Sequence, residues 1–543
     1  MRSMPSKRAF TGLVLLVALL GQSQAATGGT SNILLYSLGG LAVILFFFFL
    51  TSVADNLMVI ESRQMGVDDK RTNLGLFPRI SDIFGKRKPT YLDDQHLYEL
   101  KRGYDLPFEG SADSGQQRAA TASRFAVQPP NFIGLQPIPK MMVAVGDAVK
   151  AGDPIFFDKK MEQVKFAAPV SGEIIEIKRG AKRAITEVII LADKDQVSRT
   201  YKVPALTSDR QKIVDFLLES GAWPYILQRP YNVVADPAVN PRDIFVSTFD
   251  SGPLAADMSL AVNGRGAAFQ KGIDVLNKLT DGIVYLGLDG RGEQAPSDVF
   301  TSVEGAEKRY FRGKHPSGNV GVQIHHIHPI GNHDKVWTLD VNAVLLIGEL
   351  FLNGKFDTSR PVALTGAPLS APHYVTTQVG ANIGELLAGQ IDSLDGQRVI
   401  SGNVLTGQQK SADDFLDAFS SQVTVLEEGD SAELFGWLLP LKARPSISPT
   451  IPNLAGQMEA TTNTHGEHRA FVVTNDYETV MPMDIYTRQL MKAIMVNDFE
   501  GMEGLGIYEL VEEDVALAEF ACVSKQPLQQ ILRQGLDTMR EQS

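Results

Sequence analysis

The stretch VGDAVKAGDPIFFDKKMEQVKFAAPVSGEIIEI, from Val145 to Ile177, decides the fold of the region around it. Apolar residues alternate with polar ones, a Gly-Asp turn interrupts the alternation, and Ala-Pro-Val-Ser-Gly precedes a last alternating run. Alternation with a period of two, punctuated by glycine and proline, is typical of short β-strands. The stretch therefore predicts a β-sandwich domain, and similar patterns extend it on both sides.

The predicted sandwich resembles lipoyl and biotinyl domains, which carry a cofactor on a turn lysine. Lys159 and Lys160 lie near that turn, but Lys160 arrives about two residues early relative to the lipoyl pattern, which shortens the arm that presents it. The segment DKKMEQ also lacks the Met-Lys-Met of biotinyl sites. We expect a static sandwich, with a lipoyl-type carrier as the least favoured alternative.

The N-terminus has the composition of a membrane-targeting segment. A basic start, a short apolar core and Ser-Gln-Ala ending at Ala25 resemble a signal peptide over residues 1–25. Residues Ile33 to Val53 are predominantly apolar, contain no Asp, Glu, Lys, Arg or His and have the length needed to cross a bilayer. We predict one transmembrane helix within 26–53, and a second span if the signal is not cleaved.

The distribution of lysine and arginine predicts the orientation of that span. Basic residues follow it, from Arg63 to the run Lys86-Arg87-Lys88, and none lies between Arg8 and Val53. The positive-inside rule then places the main body in the cytoplasm, behind a bacterial inner membrane. A lone span without charged groups forms no ion pathway. We therefore expect a single-span tether that docks the body on other membrane proteins.

The composition excludes several functional classes. A net charge of −12 argues against nucleic-acid binding, which needs a basic face. The single cysteine, Cys522, allows no intrachain disulfide and no self-contained iron–sulfur cluster. We expect Cys522 to be an ordinary, partly buried thiol.

The remaining patterns predict an α/β multidomain protein. RDIFVSTF, GAAFQKGIDVLNKL and DGIVYLGL alternate strand-like and helix-like periodicities, which is typical of a Rossmann-like α/β domain. The segment around LTGAP fits a small β-grasp (SLBB-like) module, and the last patterns are helical. The predicted boundaries are 97–205 for the barrel-sandwich (biotinyl/lipoyl-like) domain, 206–345 for the Rossmann-like domain, 346–455 for the β-grasp domain and 456–543 for the C-terminal helical region, after a juxtamembrane linker at 54–96.

Ordered matches over roughly residues 97 to 543 make a specific resemblance. VGDAVKAGDPIFFDKK, SGPLAADMSLAV, GKHPSGNVGVQIHHIHPIG, VWTLDVNAVLLIGELFLNGKFDTSRPVALTGAP and YELVEEDVALAEFACVSK closely resemble the A subunit of the sodium-translocating NADH:quinone reductase. The first 96 residues depart from the usual pattern, because that subunit normally starts near LKRGYDLP and has no membrane helix of its own.

This resemblance implies a function for the chain. The complex passes electrons from NADH through flavins and iron–sulfur clusters, held by partner subunits, to quinone, and couples this to Na⁺ export. The chain resembles the component without a redox cofactor of its own, implicated at the quinone end. We therefore expect it to help form or gate the quinone-reduction site while docking to a multi-span membrane partner. A membrane-anchored β-grasp module for a soluble ligand, supported by LTGAP alone, remains an alternative.

Aromatic and donor side chains supply candidate quinone-binding residues. Trp223, Tyr225, Arg229 and Tyr231 offer flat faces and hydrogen-bond donors for a head group with two carbonyl oxygens. Phe132 is a second candidate. The competing interpretation is that these residues simply pack the sandwich on the α/β domain.

Other motifs are interpreted structurally, so no catalytic, cofactor-binding or metal residue is predicted. NGRGAAFQKG, Asn263 to Gly272, lacks the middle glycine and the proline of a related flavin loop and indicates a helix start. HHIH, His325 to His328, would place His326 and His328 on one face of a strand, without a third ligand. Glu512, Glu513 and Asp514 begin a helix, where the dipole disfavours a sodium ion.

Overall fold

The computed structural model describes residues 88–429, 445–447 and 456–542, except 121 and 473, together with scattered positions between 37 and 50. The chain divides into two compact units, Met1–Lys88 and Pro89–Ser543. The predicted signal segment and most of the predicted span and linker lie outside the described residues. The positions described between 37 and 50 are helical and exposed. Among the described residues, no helix combines the length and apolarity that crossing a membrane requires.

Two short strands near the start of the second unit do not pair with the sandwich. They are β1 (Leu97–Glu99) and β2 (Asp113–Ala119). β1 lies parallel at the edge of the sheet of the α/β domain, and β2 lies parallel at the edge of the β-grasp sheet. The segment predicted to begin the sandwich, hereafter the strap, therefore adds one strand to the sheet of each of the two following domains. No local sequence pattern predicts these strand pairings.

The sandwich itself is confirmed, as two small sheets with the orders β3-β9-β8-β5 and β4-β6-β7. Its strands are β3 (Arg124–Val127), β4 (Lys140–Met141), β5 (Ala148–Val149), β6 (Pro154–Phe157), β7 (Lys165–Ala167), β8 (Gly172–Arg179) and β9 (Ile185–Ala192). The alternation seen in the sequence buries Ile155, Phe166, Ile174 and Ile190 between the sheets. Burial of these apolar side chains stabilises the domain.

The α/β domain is built on a mixed, mostly parallel seven-stranded sheet with the order β1-β14-β13-β12-β15-β10-β11. Its elements are α1 (Arg210–Ser220), β10 (Leu227–Arg229), β11 (Val233–Val234), β12 (Ile244–Ser247), α2 (Ser259–Val262), α3 (Gly266–Leu276), β13 (Val284–Asp289), α4 (Asp298–Ser302), β14 (Glu307–Arg312), α5 (Val320–Ile327), β15 (Val336–Leu339) and α6 (Val341–Asn353). The chain runs from β12 through β13 to β14 and then returns to the other side of β12 as β15. Sheets of this kind bind ligands at the carboxyl ends of the strands where the order reverses.

The β-grasp domain follows with the sheet order β19-β18-β20-β16-β17-β2. Its elements are β16 (Arg360–Thr365), β17 (His373–Thr377), α7 (Ile383–Leu387), β18 (Gln397–Ser401), β19 (Gln408–Lys410) and β20 (Gln422–Glu427). The helix predicted near Ala381 begins at Ile383, because the Asn382 side chain caps it by accepting a hydrogen bond from the Glu385 amide.

The C-terminal region is helical, as predicted, and has its own core. Its helices are α8 (Asp476–Val480), α9 (Thr487–Met495), α10 (Phe499–Gly504), α11 (Glu512–Ala521) and α12 (Leu528–Gln542). Leu490, Met491, Leu517 and Leu532 are buried between them. This core also takes in Tyr231 and Val322 of the α/β domain, so the two regions pack against each other.

Candidate functional site

An aromatic junction joins the sandwich, the α/β domain and the β-grasp domain. A 3₁₀ turn after β3 places Phe132, and a second 3₁₀ turn after α1 places Tyr225. The Phe132 ring lies 5.9 Å from the Tyr225 ring, 4.8 Å from Phe166 and 5.6 Å from Phe419, measured between centroids in edge-on arrangements. Edge-to-face contacts of this kind add to the stabilisation that burial provides.

A polar network closes one side of the aromatic junction. The Lys410 ammonium donates to Asp417 Oδ1 at 2.8 Å and to Gln128 Oε1 at 3.2 Å. The Asn131 side chain donates to the same Asp417 oxygen at 2.8 Å and accepts from the Ala418 amide at 2.8 Å. Because these residues come from the sandwich and the β-grasp domain, the network fixes one domain against the other.

A small cavity lies inside the junction, lined by Phe132, Tyr225, Gln128 and Asn131 among others. Its volume is about 10 Å³, which is space for no more than a single water molecule. A quinone ring would enter only if the aromatic side chains moved apart. The Tyr225 phenol is protonated at physiological pH, as any ordinary phenol is, and can donate a hydrogen bond. Burial raises its pKa further, to about 12.

Trp223, a sequence candidate, lies in a different environment. It is fully buried, its indole Nε1 donates to the Ala235 carbonyl at 2.7 Å, and its ring packs edge-on against Trp337. These contacts hold the turn that carries Tyr225 against β15. In this conformation Trp223 packs behind the turn that carries Tyr225 and does not line the cavity.

Arg229 and Tyr231 are also directed away from the cavity, toward the C-terminal helices. The guanidinium of Arg229, which is only 1% exposed, donates to Glu513 Oε1 at 2.8 Å and to Asp514 Oδ2 at 3.1 Å. The Tyr231 ring packs edge-on against Tyr508. The structure thus brings Phe132 and Tyr225 together and places the other three candidates elsewhere.

The acidic helix start predicted from the sequence forms an ionic cluster with Arg229, hereafter the Arg229 cluster (Arg229, Glu513 and Asp514). Arg229 and Asp514 are buried, whereas Glu513 is partly exposed. Asp514 Oδ2 also accepts from the Val511 amide at 3.0 Å, closing the first turn of α11. Burial raises the pKa of Glu513 to about 7 and raises that of Asp514, against the opposing effect of the Arg229 guanidinium. A side chain at Gly321 would meet Asp514 and Arg229 at 2.4 to 2.5 Å, so this close packing requires glycine.

Polar groups at the carboxyl ends of the parallel strands are buried and hydrogen-bonded to one another. Ser251, after β12, accepts from the Gly318 amide at 2.8 Å and lies 3.0 Å from His315 Nδ1. Asp105, from the strap between β1 and β2, accepts from the His315 amide at 2.8 Å. Burial lowers the pKa of His315, which favours its neutral form.

The residues Asn263 to Gly272 form a helix start, as expected. Gly264 has a left-handed φ of 73° and leads into α3, which begins at Gly266.

The histidine run contradicts one local expectation, because it lies on a helix. His325 and His326 belong to α5 and His328 follows it, whereas the sequence pattern suggests a strand. Their hydrogen bonds diverge, to Glu509, the Pro482 carbonyl and Asp243 respectively. Within the described ranges, no group of three or more His, Cys, Asp or Glu side chains is arranged to hold a metal ion.

Cys522 is more deeply buried than expected. It is 1% exposed, and its Sγ lies 2.9 Å from the Tyr477 hydroxyl and accepts from the Gln526 amide. Sequence reasoning also missed Phe166, Phe419 and Asp417 at the junction. Each lies in an ordinary local pattern, so only contact between domains reveals its position.

Comparison with protein families matches three consecutive parts of the chain. Residues 98–193 match the NqrA N-terminal barrel-sandwich hybrid domain, and residues 208–356 match the NqrA second alpha/beta domain. Residues 361–412 match the NQRA C-terminal domain. The order of the matches is the order of the sandwich, α/β and β-grasp domains in the structure.

Curated relatives share most of their length with this chain. The A subunit of the Na⁺-translocating NADH-quinone reductase from Rhodopirellula baltica is 35% identical over 82% of this chain and 99% of its own length. Its counterparts from Vibrio atlanticus and Saccharophagus degradans are 36% and 37% identical, over 82% of this chain and all of theirs. A crystal structure of an NAD⁺-reducing [NiFe]-hydrogenase aligns at 11% identity over 41% of this chain and 48% of that one, with a TM-score of 0.30, which supports no inference.

Proposed function

The chain belongs to the family of NqrA proteins, the A subunits of the Na⁺-translocating NADH-quinone reductases, and from this premise we propose that it helps form or gate the site of quinone reduction. It is accordingly part of an oxidoreductase complex that transports Na⁺. The proposal concerns the step at which electrons leave the complex. The observation that carries it is the aromatic junction with its small cavity.

The aromatic junction has the chemistry that a quinone head group needs. Phe132, Tyr225 and Phe419 offer apolar faces, and the protonated Tyr225 phenol offers a donor for a carbonyl oxygen. The three rings belong to three domains, so a small shift between domains would widen the cavity. In this proposal Phe132 and Tyr225 contact quinone, whereas Trp223, Arg229 and Tyr231 hold the surrounding structure.

We further propose that the chain carries no redox cofactor itself and that flavins, iron–sulfur clusters and NADH bind partner subunits. A single cysteine, fully buried, supports the iron–sulfur part of this proposal. We propose docking on a multi-span membrane partner, on the cytoplasmic side of the inner membrane. The tether within 26–53 stays a prediction, because most of those residues lie outside the described part of the chain.

Phe132→Leu in the purified complex tests the quinone proposal. Leucine keeps an apolar side chain but removes the ring face, so we expect KM for quinone to rise about tenfold, on the scale of one lost aromatic contact. Electron transfer from NADH to ferricyanide, which bypasses quinone, should not change. Steady-state kinetics of both reactions measure the effect.

Phe216→Leu provides the matched control. Phe216 is buried in a separate aromatic group with Tyr201 and Phe351, away from the cavity. The control should lower stability without raising KM for quinone. An unchanged KM in Phe132→Leu, or an equal rise in both variants, would remove the junction from the quinone site.

A further inference from the structure

A cleft lies at the hairpin end of the sandwich and shares no lining residue with the aromatic junction. Its volume is about 380 Å³, within the range of small-ligand pockets. Three loops line it, and Lys159 and Lys182 come from two of them. The remaining lining residues are Gln136, Pro137, Ile138, Ala181 and Ala184.

This end of the sandwich is basic, although the chain carries a net charge of −12. The exposed side chains of its two hairpins include Lys159, Lys160, Arg179, Lys182 and Arg183. The β6–β7 hairpin also carries two acids: Glu162 is exposed, whereas Asp158 is buried and accepts hydrogen bonds from the Gln136 and Lys160 amides. The cationic groups around the cleft therefore exceed the anionic ones.

The tip of the β8–β9 hairpin has an uncommon backbone conformation. Lys182 and Arg183 have φ values of 52° and 64°, a left-handed region that non-glycine residues rarely adopt. The Arg179 guanidinium donates to the Arg183 carbonyl at 3.2 Å, and the Ile185 amide donates to the Pro137 carbonyl at 3.1 Å. Local strain of this kind is frequent at ligand clamps, and here it accompanies a cleft.

We propose that this cleft binds a phosphate ester anion. Two ammonium groups from separate loops suit a compact group with several acceptor oxygens, and lysine is a common phosphate ligand. The apolar side chains of Pro137, Ile138, Ala181 and Ala184 would take the carbon part of the ester. An anionic phospholipid headgroup and a soluble phosphate ester share this chemistry.

Calorimetric titration of the detergent-solubilised full chain tests the proposal with three probes. The probes are sn-glycerol 3-phosphate, short-chain phosphatidylglycerol and short-chain phosphatidylcholine. We expect phosphatidylglycerol to bind in preference to phosphatidylcholine and added NaCl to weaken it. The double variant Lys159→Gln, Lys182→Gln should bind about 25-fold more weakly, at roughly fivefold per lysine.

Lys150→Gln with Lys194→Gln is the matched control. These exposed lysines lie at the other end of β8 and β9, and β8, with eight residues, spans roughly 25 Å. The control removes the same charge and should bind as the native chain does. Binding of glycerol 3-phosphate as well indicates a general phosphate ester site, and binding of phosphatidylglycerol alone indicates a lipid source.

Three results would overturn the proposal. One is that neither phosphate probe binds above the phosphatidylcholine background. Another is that the control pair weakens binding as much as the cleft pair, because the effect would then follow total charge. The third is that poly-glutamate, an acidic peptide, binds through Lys159 and Lys182 while neither phosphate probe does. The cleft would then be a docking site for protein.

Discussion

Two interfaces of the α/β domain use opposite chemistry. At the aromatic junction, neutral rings from three domains pack edge to face. At the Arg229 cluster, one guanidinium serves two carboxylates between the α/β domain and the C-terminal helices. The first interface depends on shape and apolar area, and the second depends on the balance of charge.

This difference in chemistry predicts how the stability of each interface responds to substitution and to pH. Removing a ring costs packing at any pH, because no group at the ring contacts changes charge near neutrality. The Arg229 cluster holds more acid than base, and Asp514 Oδ1 finds no hydrogen-bond partner among the described residues. Its stability therefore depends on protonation, and three substitutions separate the two cases.

Arg229→Met should have the largest effect on stability. Removing one partner of a buried ion pair leaves uncompensated charge, so the free energy of unfolding should fall by about 3–5 kcal/mol. Urea denaturation of the full chain at neutral pH measures it. Arg199→Met, which breaks partly exposed ion pairs with Glu219 and Asp153 and a contact with the Tyr201 ring, is the control and should cost about 1 kcal/mol. Similar losses in the two variants would contradict a buried cluster.

Phe132→Leu should have an intermediate effect that does not depend on pH. The substitution keeps an apolar side chain but loses edge contacts to three rings, so unfolding should be easier by about 1–2 kcal/mol. Denaturation at pH 5.5 and at pH 8 should give the same loss. A loss that differed between the two pH values would show that the junction is coupled to a titrating group.

Glu513→Gln should have the smallest effect, and that effect should grow as pH rises. The folded pKa of about 7 lies above the ordinary value of 4.5, so the folded state holds a proton that the unfolded state releases. Stability should therefore fall as pH rises from about 4.5 through about 7. Because the side chain is 40% exposed, solvent screening limits the effect to about 1 kcal/mol.

The neutral glutamine should remove this pH dependence and stabilise the chain at pH 8 relative to the native protein. Glu500→Gln, an exposed substitution on α10, should leave the dependence unchanged. If Glu513→Gln followed the native curve between pH 5.5 and pH 8, another group would be responsible for it.

Local patterns predicted most elements but not their partners. The helices over Arg210–Ser220, Val341–Asn353 and Glu512–Ala521 follow from apolar periodicity, and the sandwich follows from alternation and turn residues. The histidine run has apolar surroundings that suggest a strand, yet α5 continues through His325 and His326. Short apolar runs are ambiguous between helix and strand, and packing decides between them.

The candidate site was predicted only in part. The sequence indicates aromatic residues near residue 223 as candidates, and in the structure the rings of Phe132 and Tyr225 are in contact. The side chains of Trp223 and Arg229 make hydrogen bonds elsewhere, away from the cavity. The direction of each side chain depends on which domain packs against it. A sequence motif holds no information about that packing.

The sequence by itself determined the periodicities, the turns, the sandwich and the family to which the chain belongs, because these depend on neighbouring residues. Only the tertiary structure decided that Arg229 meets Asp514 across 285 positions and that β1 and β2 extend sheets of other domains. The physical reason is that contacts between distant segments are selected by the shape and charge of whole assembled surfaces. No short stretch of chain encodes such a surface alone.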